Sequence, residues 1–407
     1  MDKKTRRSRR EFLKAGLVGA AGMAVYSCAS SGESGEESAA KKEGAKIVTR
    51  RLGRTGLELP VVSIGTGDTT DAGLVRAALE GGVKLLATSE YYQKGNNERM
   101  VAEVVRERGA GSAVVMTSTN PEGFDRRAGV FRQDAAVGTF IKRAEGCLER
   151  LGVECVDIML LPFMAKTESV MFEPYLRAME DFKKAGKAKF VGIATHSYEH
   201  EAIRAAVDSG VYDVAMVAYN FRKENAAEIE EAMAYAAGKG LGIIAMKTMA
   251  GNFWDDEQKQ PINSTAALKW VLRNENVHTT VPGVTTYDQL RSDLAVMADL
   301  KLSEQEKTDL KLGLHTDPDG PYCQQCGRCV PQCAKGLDIP TIMRSHMYAY
   351  GYRNLVHARE TLSGACGGTD PCAGCGSCGV SCAMGSDVRR KIGKIARLNA
   401  VPEEFLA

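Results

Sequence analysis

The chain has 407 residues, 44% of them hydrophobic, and its 53 basic and 51 acidic side chains leave a formal charge of +2. That near balance, with no broad basic face, argues against a nucleic-acid-binding protein. It contains 12 cysteines, most gathered at one end of a long chain, which is not the pattern of a small disulfide-stapled scaffold.

Near the N-terminus, Ser8-Arg9-Arg10-Glu11-Phe12-Leu13-Lys14 resembles the twin-arginine export signal. The apolar stretch from Ala15 to Tyr26 follows, too short and too rich in Gly and Ala for a membrane span. A basic arm ahead of a buried helix is the alternative, and it leaves the order of these features unexplained. Two readings stand for Cys28: a lipid anchor, although Tyr26 fits that cleavage pattern poorly, or ordinary peptidase cleavage nearby. Residues 1–28 are therefore expected to be a twin-arginine signal peptide. Residues 29–46 are polar and rich in Gly, Ser and Glu, the composition of a disordered linker. The protein is expected to be exported, periplasmic or anchored at the outer side of the cytoplasmic membrane.

From Ile47 to about Leu302, apolar strand-like runs alternate with amphipathic helical stretches, and residues 47–315 are expected to form one domain. The predicted strands are Val61–Ile64, Lys84–Ala87, Ala113–Thr117, Val156–Leu161, Phe190–Ala194, Val214–Ala218, Gly242–Met246 and Thr279–Val281. Apolar strands alternating with helices imply a parallel sheet. Eight such units in roughly 250 residues suit a closed (β/α)8 TIM barrel, an α/β fold, better than an open sheet. The first strand is not followed by G-x-G-x-x-G, which weakens a dinucleotide-binding open sheet.

Several segments resemble the aldo/keto reductase family, which has this barrel. They are Arg51-Leu52-Gly53-Arg54-Thr55-Gly56-Leu57, Gly186-Lys187-Ala188-Lys189-Phe190-Val191-Gly192, Ala245-Met246-Lys247-Thr248-Met249-Ala250-Gly251, Ala267-Leu268-Lys269-Trp270-Val271-Leu272 and Val281-Pro282-Gly283-Val284. The resemblance covers the whole barrel, and a branch of the family carries a C-terminal iron–sulfur extension much like the one here. It implies carbonyl reduction with NADPH by an Asp, a Tyr, a Lys and a His at the barrel mouth. Carried over by flanking motif, the Asp position is Ala87, the Tyr is retained as Tyr92, the Lys position is Ser118 and the His position is Pro162. Two nicotinamide-contacting positions also differ: the Ser-Asn pair reads Ala194-Thr195, and the Gln reads Met216.

Without a nearby cation, Tyr92 is expected to titrate near the free-phenol value of about 10. General acid–base help is worth roughly 10²–10⁴-fold, so the family reaction is expected to be very slow. An exported protein also has no obvious supply of NADPH, and NADP is a doubtful cofactor. Other polar residues expected at the strand ends are Glu90, His196, Asn220, Arg222 and Lys247. Tyr92 and Lys247 are the candidate catalytic residues. The bland readings are packing for Tyr92, loop support for Lys247 and a structural role for His196; Glu90 and Arg222 read as rim ion-pair partners.

Asp317-Pro318-Asp319-Gly320-Pro321 is turn chemistry and marks a domain boundary. Residues 316–395 are expected to form a small helical ferredoxin-type domain. It holds two runs of C-x2-C-x2-C-x3-C: Cys323, Cys326, Cys329 and Cys333, then Cys372, Cys375, Cys378 and Cys382. That spacing is the ligand pattern of [4Fe–4S] clusters, and in two-cluster ferredoxins the fourth cysteine of each run ligates the other cluster. By that analogy Cys323, Cys326 and Cys329 pair with Cys382, and Cys372, Cys375 and Cys378 with Cys333. A zinc site is the rival, but three cysteines in so short an arc would crowd one tetrahedral ion. Ala334 and Ala383 stand where the bacterial pattern has proline, which is not a ligand. Cys366, Cys147 and Cys155 fall outside the pattern.

Between the runs, Ile339 to Leu362 reads as helical, with Tyr348, Tyr350 and Tyr352 packing the clusters or lying on an electron route. The tail Arg389-Arg390-Lys391-Ile392-Gly393-Lys394 reads as a solvated basic face, with compensation of cluster charge as the alternative. The sequence thus points to an exported iron–sulfur oxidoreductase with two [4Fe–4S] clusters and an unknown redox partner or small-molecule substrate. Its rivals are an active NADPH-dependent carbonyl reductase with substituted residues and a non-catalytic scaffold with structural clusters.

Overall fold

The computed structural model describes residues 46–109, 111–312 and 320–406. The twin-arginine motif, Cys28 and nearly all of the expected linker lie outside them, as does most of the Asp317–Pro321 turn.

An antiparallel hairpin opens the fold, β1 (Thr49–Arg51) paired with β2 (Glu58–Pro60). Leu52 and Leu59, from its tip and its second strand, are buried against Leu85, Ile158, Val214 and Ile244, closing the N-terminal end of the barrel. The tip approaches the chain so closely that a Cβ on Gly53, which has φ +49°, would collide with the Gly240 carbonyl.

The barrel strands are β3 (Ile64–Gly65), β4 (Leu85–Ala87), β5 (Val114–Ser118), β8 (Val156–Leu161), β9 (Ala188–Thr195), β10 (Val214–Ala218), β11 (Gly242–Met246) and β12 (Thr279–Thr280). They form one 8-stranded sheet, ordered β12-β11-β10-β9-β8-β5-β4-β3, with every pairing parallel. Parallel bridges Val62 to Thr280 and Gly65 to Gly283 close it. Alternation follows the strand period of two. In β11, Ile244 and Met246 point into the barrel, whereas Ile243 and Ala245 face the surrounding helices. Both faces are buried, which is why the strands read as continuous apolar runs. A short hairpin, β6 (Phe124–Asp125) with β7 (Val130–Phe131), interrupts the loop after β5; nothing in the apolar pattern announced it.

Residues 320–406 pack over the C-terminal mouth of the barrel through helices Ile339–Tyr350, Leu355–Cys366 and Val388–Ala396. The packing continues past residue 395, since Leu398 and Leu406 are buried. The basic tail is solvated only in part: Arg389 and Arg390 are exposed. Lys391 is fully buried, donates to the Gly320 carbonyl at 2.7 Å and lies 4.0 Å from Asp256. Arg390 and Lys394 reach the same carboxylate at 3.5 and 3.3 Å. The tail clamps the last helix onto a barrel loop, because a buried carboxylate needs cations around it.

Asp293, in helix Tyr287–Ala295, is also buried, and burial pushes its carboxyl up to about 8. It is protonated in the fold and ionises on unfolding at neutral pH, so the unfolded chain binds fewer protons. Stability should fall as pH rises from the ordinary carboxylate range, about 4, towards about 8. Asp293→Asn removes that dependence. In urea unfolding it should gain on the parent as pH climbs from about 5 to about 8.

Candidate functional site

A cavity of about 90 Å³ lies at the barrel mouth. Ala87 and Ser118, the last residues of β4 and β5, line it together with Tyr92 and Lys247. Tyr92 follows β4 in a short 3-10 turn. Its ring lies against the loop after β3, where a Cβ on Gly67 would come within 2.8 Å of it. Burial pushes the Tyr92 hydroxyl well above the free-phenol value expected from sequence, with Tyr348 and Asp68 adding to the shift.

Lys247 directly follows β11 with φ +57°, in the left-handed region. Its Nζ lies 4.4 Å from the ring centroid of Tyr348 and 5.5 Å from that of Tyr352, both from the C-terminal region. Tyr352 and His357 roof the cavity. The His357 ring stacks on Tyr348 at 4.0 Å and meets Tyr92 edge-on at 5.3 Å. Its Nδ1 is buried with no hydrogen-bond partner among the described residues. Burial, followed by the charges of Lys247 and Arg344, drives its pKa well below the usual value, so the imidazole is neutral. Asn354 holds this roof to the barrel by donating to Asp68 at 2.9 Å.

Asn220, after β10, links mouth and cysteine region. Its Nδ2 donates to the Lys247 carbonyl at 3.0 Å and to the Tyr322 hydroxyl at 3.1 Å. Tyr322 immediately precedes Cys323 in the chain.

The two cysteine runs face each other. Burial pushes the Cys323 thiol up to about 11; the Gln325 amide opposes this, and the neighbouring Cys326 and Cys382 add to it. Burial likewise pushes Cys329 up to about 12, with Cys323, Cys326 and Cys382 around it. Cys372 has Cys375, Cys378 and Cys333 as neighbours. Each fourth cysteine thus lies beside the other run, an arrangement suited to two four-thiolate sites. The backbone amides of Gln325 and Met384 donate to the sulfurs of Cys323 and Cys382, and Arg328 donates to that of Cys326. Such donors stabilise thiolate over thiol. Among the described residues, no three His, Cys, Asp or Glu side chains close on one point as they would round a single metal ion. Cys366 ends helix Leu355–Cys366, and its Sγ donates to the Leu362 carbonyl.

Residues 65–266 match the aldo/keto reductase family, and residues 322–387 match the 4Fe-4S dicluster domain. The chain carries an aldo/keto reductase domain. The L-galactose dehydrogenase of Arabidopsis thaliana is 22% identical over 63% of this chain and 90% of its own length. The NADH-specific methylglyoxal reductase of Escherichia coli is 21% identical over 63% of this chain and 95% of its own. Among solved structures, the holo form of an aldo-keto reductase from Bacillus halodurans superposes with a TM-score of 0.52 at 18% identity, covering 66% of this chain and 96% of that one. An aldo/keto reductase from Klebsiella pneumoniae in complex with NADP and acetate gives 0.50 at 18%, covering 65% and 94%. These likenesses establish the fold: an aldo-keto reductase barrel followed by a helical 4Fe-4S dicluster domain, which implies iron–sulfur clusters.

Within this reductase domain, Tyr92, Ser118 and Lys247 come together at the mouth. His196 does not join them; it lines a neighbouring pocket and stacks on Phe163 at 5.9 Å. Glu90 is held by Arg143 and Arg150 and accepts from Thr119. Arg222 lies between the rings of Trp254 and Tyr322, 5.3 Å from each. Sequence reasoning missed His357 and Asp68. The one available signal was the aromatic run Tyr348–Tyr352 followed closely by a histidine, and nothing in it pointed to the barrel.

Crossed ligation makes a specific prediction. Cys382→Ser should remove the cluster held by Cys323, Cys326 and Cys329, lowering iron from about eight to about four per chain. Cys333→Ser should instead remove the other. Iron and sulfide counts on oxygen-free preparations, with the spectrum of the surviving cluster, distinguish this from ligation within each run.

Proposed function

We propose that this protein is an exported oxidoreductase whose barrel mouth exchanges electrons with iron–sulfur clusters instead of taking hydride from a nicotinamide. Cys323, Cys326, Cys329 and Cys382 hold one [4Fe–4S] cluster, and Cys372, Cys375, Cys378 and Cys333 hold the other. When bound, these supply single electrons at potentials set by charge and hydrogen bonding around the sulfurs. The observation that carries the reading is the short bridge from Cys323 through Tyr322 and Asn220 to Lys247. It joins a cluster ligand to the cavity by one peptide link and two hydrogen bonds.

The mouth itself supports the same reading. With Ala87, Ser118 and Pro162 at the family's Asp, Lys and His positions, the catalytic set is degenerate. Burial also makes Tyr92 a weaker acid than a free phenol. Lys247 compensates in part: the Nζ of this half-buried residue, beside the Tyr348 and Tyr352 rings, is poised to hold a carbonyl or other electron-rich oxygen. His357 presents a neutral imidazole beside Tyr92, its basicity depressed by burial and by Lys247, so it suits hydrogen bonding to a substrate better than holding a proton. The cavity, about 90 Å³, is smaller than a roughly 150 Å³ cavity that binds benzene, so a nicotinamide ring would not be wholly enclosed in it unless Tyr352 and His357 moved aside. A small polar substrate, or a redox partner docking at the rim, needs no such movement.

Relatives that use NADH or NADPH favour a second reading, a nicotinamide-dependent reductase, and one experiment separates the two. The oxygen-free holoprotein should show a reducible paramagnetic signal during a redox titration. It should neither oxidise NADPH with simple aldehydes nor bind it at micromolar concentration. Rapid NADPH turnover would overturn the electron-carrier reading.

Export rests on the arginine pair. In a host with the twin-arginine route, Arg9→Lys together with Arg10→Lys should leave the protein in the cytoplasm, as cell fractionation and immunoblotting would show. Unchanged export would remove that part of the proposal.

A further inference from the structure

A second cavity, of about 70 Å³, lies on the same rim beside the mouth, between the loops after β8 and β9 and the first cysteine run. Arg126, Arg344, His196, Asp338, Phe163 and Gln325 are on its walls. Two guanidiniums share one ring there: Cζ of Arg126 is 4.1 Å from the Phe163 centroid, and that of Arg344 is 5.5 Å away.

Arg344 is 5% exposed and, among the described residues, donates only to neutral acceptors, Gln325 Oε1 and Thr341 Oγ1, each at 3.1 Å. The Arg126 side chain makes no hydrogen bond or ion pair among the described residues; its contact is the Phe163 ring. Burial, and then the charge of Arg344, lower its pKa, while Asp338 acts to raise it; the side chain is half-buried beside the buried Arg344. Asp338 is the acid on the wall. Its Oδ1 accepts from the Thr341 amide at 3.2 Å, and its Oδ2 is buried without a partner. One carboxylate against two guanidiniums leaves a positive charge unmatched. His196 adds a buried Nδ1 with no partner, and burial followed by the surrounding cations keeps its ring neutral. Phe163, Tyr198 and Gln325, all lining the pocket, have φ of +66°, +52° and +59°. Residues other than glycine are held in that region chiefly where the surrounding structure enforces it, often at ligand sites.

A buried cation without a counter-ion costs several kcal/mol, and a guanidinium fork matches the geometry of a carboxylate or phosphate. We propose that this pocket is a binding site for a small oxyanion, held by Arg126 and Arg344 beside the Cys323–Cys329 loop. The space of about 70 Å³ suits a small ligand, a short-chain carboxylate or an inorganic oxyanion.

Calorimetric titration tests this with the full-length holoprotein, prepared without oxygen in a buffer free of oxyanions. Acetate is the probe in one arm and inorganic phosphate in the other. Saturable one-to-one binding is expected in at least one arm, weakening with added salt. Binding of acetate alone assigns the site to organic carboxylates, and binding of phosphate alone to inorganic oxyanions. Arg126→Gln should weaken binding at least tenfold; Arg126 is on the surface hairpin formed by β6 and β7, so the fold should survive. Arg344→Lys, which keeps the charge and loses the fork, should weaken it less. No saturable binding in either arm, or binding unchanged by Arg126→Gln, overturns the proposal. Because the readout is binding, failure here leaves the electron-carrier reading untouched.

Discussion

Everything at the barrel mouth depends on how residues 320–406 are held over it, and one buried ion pair anchors that contact. Lys223 and Glu199 are almost completely shielded from water, with Nζ and Oε1 2.5 Å apart. Removing two charges from water costs several kcal/mol each, and the cost is offset only when geometry and further hydrogen bonds are good. Here Lys223 also donates to the Gln324 carbonyl at 3.1 Å. One ammonium therefore couples the helix after β9, the loop after β10 and the residue next to Cys323. Burial acts to lower its pKa, but Glu199 more than offsets this and the ammonium persists. The clamp of Asp256 on Lys391 and Lys394 secures the far end of the same contact.

Docking changes the chemistry of the barrel. Without its roof the mouth would be an open cleft with a phenol and an ammonium facing water. Under the roof, Lys247 Nζ lies over two aromatic rings and the buried Tyr92 hydroxyl lies beside a neutral imidazole. Electrostatic interactions strengthen as water is excluded, so a single lysine in this setting can hold a negative oxygen firmly. Lys391 plays a related part on the other side. Its charge acts on Cys323 to lower the thiol pKa, opposing the effect of burial. The basic tail thus serves the cysteine region as well as the clamp, closer to the charge-compensating reading than to a solvated helix face.

The barrel was largely legible before folding was considered. Strands such as Val156–Leu161, Val214–Ala218 and Gly242–Met246 emerge with the bounds their apolar runs suggested. The first strand is shorter and later, at Ile64–Gly65, because the residues before it leave the β1–β2 hairpin and join the sheet only through the Val62 bridge. Tyr92 was legible from its flanking motif and Lys247 from its place at a strand end, and the two do share a cavity. His196 follows its strand as expected, yet it faces the neighbouring cationic pocket instead of Tyr92. His357 was invisible as a mouth residue, since it lies far along the chain from the strand ends it covers, 270 residues after Ala87 at the end of β4 (357 − 87).

What the sequence determined alone is what short-range spacing controls. Parallel strands buried on both faces must be apolar throughout, and clustered thiolates must recur at fixed intervals, so both leave a local pattern. The tertiary structure decided the matches between distant surfaces: which fourth cysteine lies beside which run, which aromatic rings receive Lys247, and which cations surround Asp256. Those contacts join side chains far apart in the chain, where no periodicity links them. They form only because two docked surfaces must satisfy every charge they take out of water.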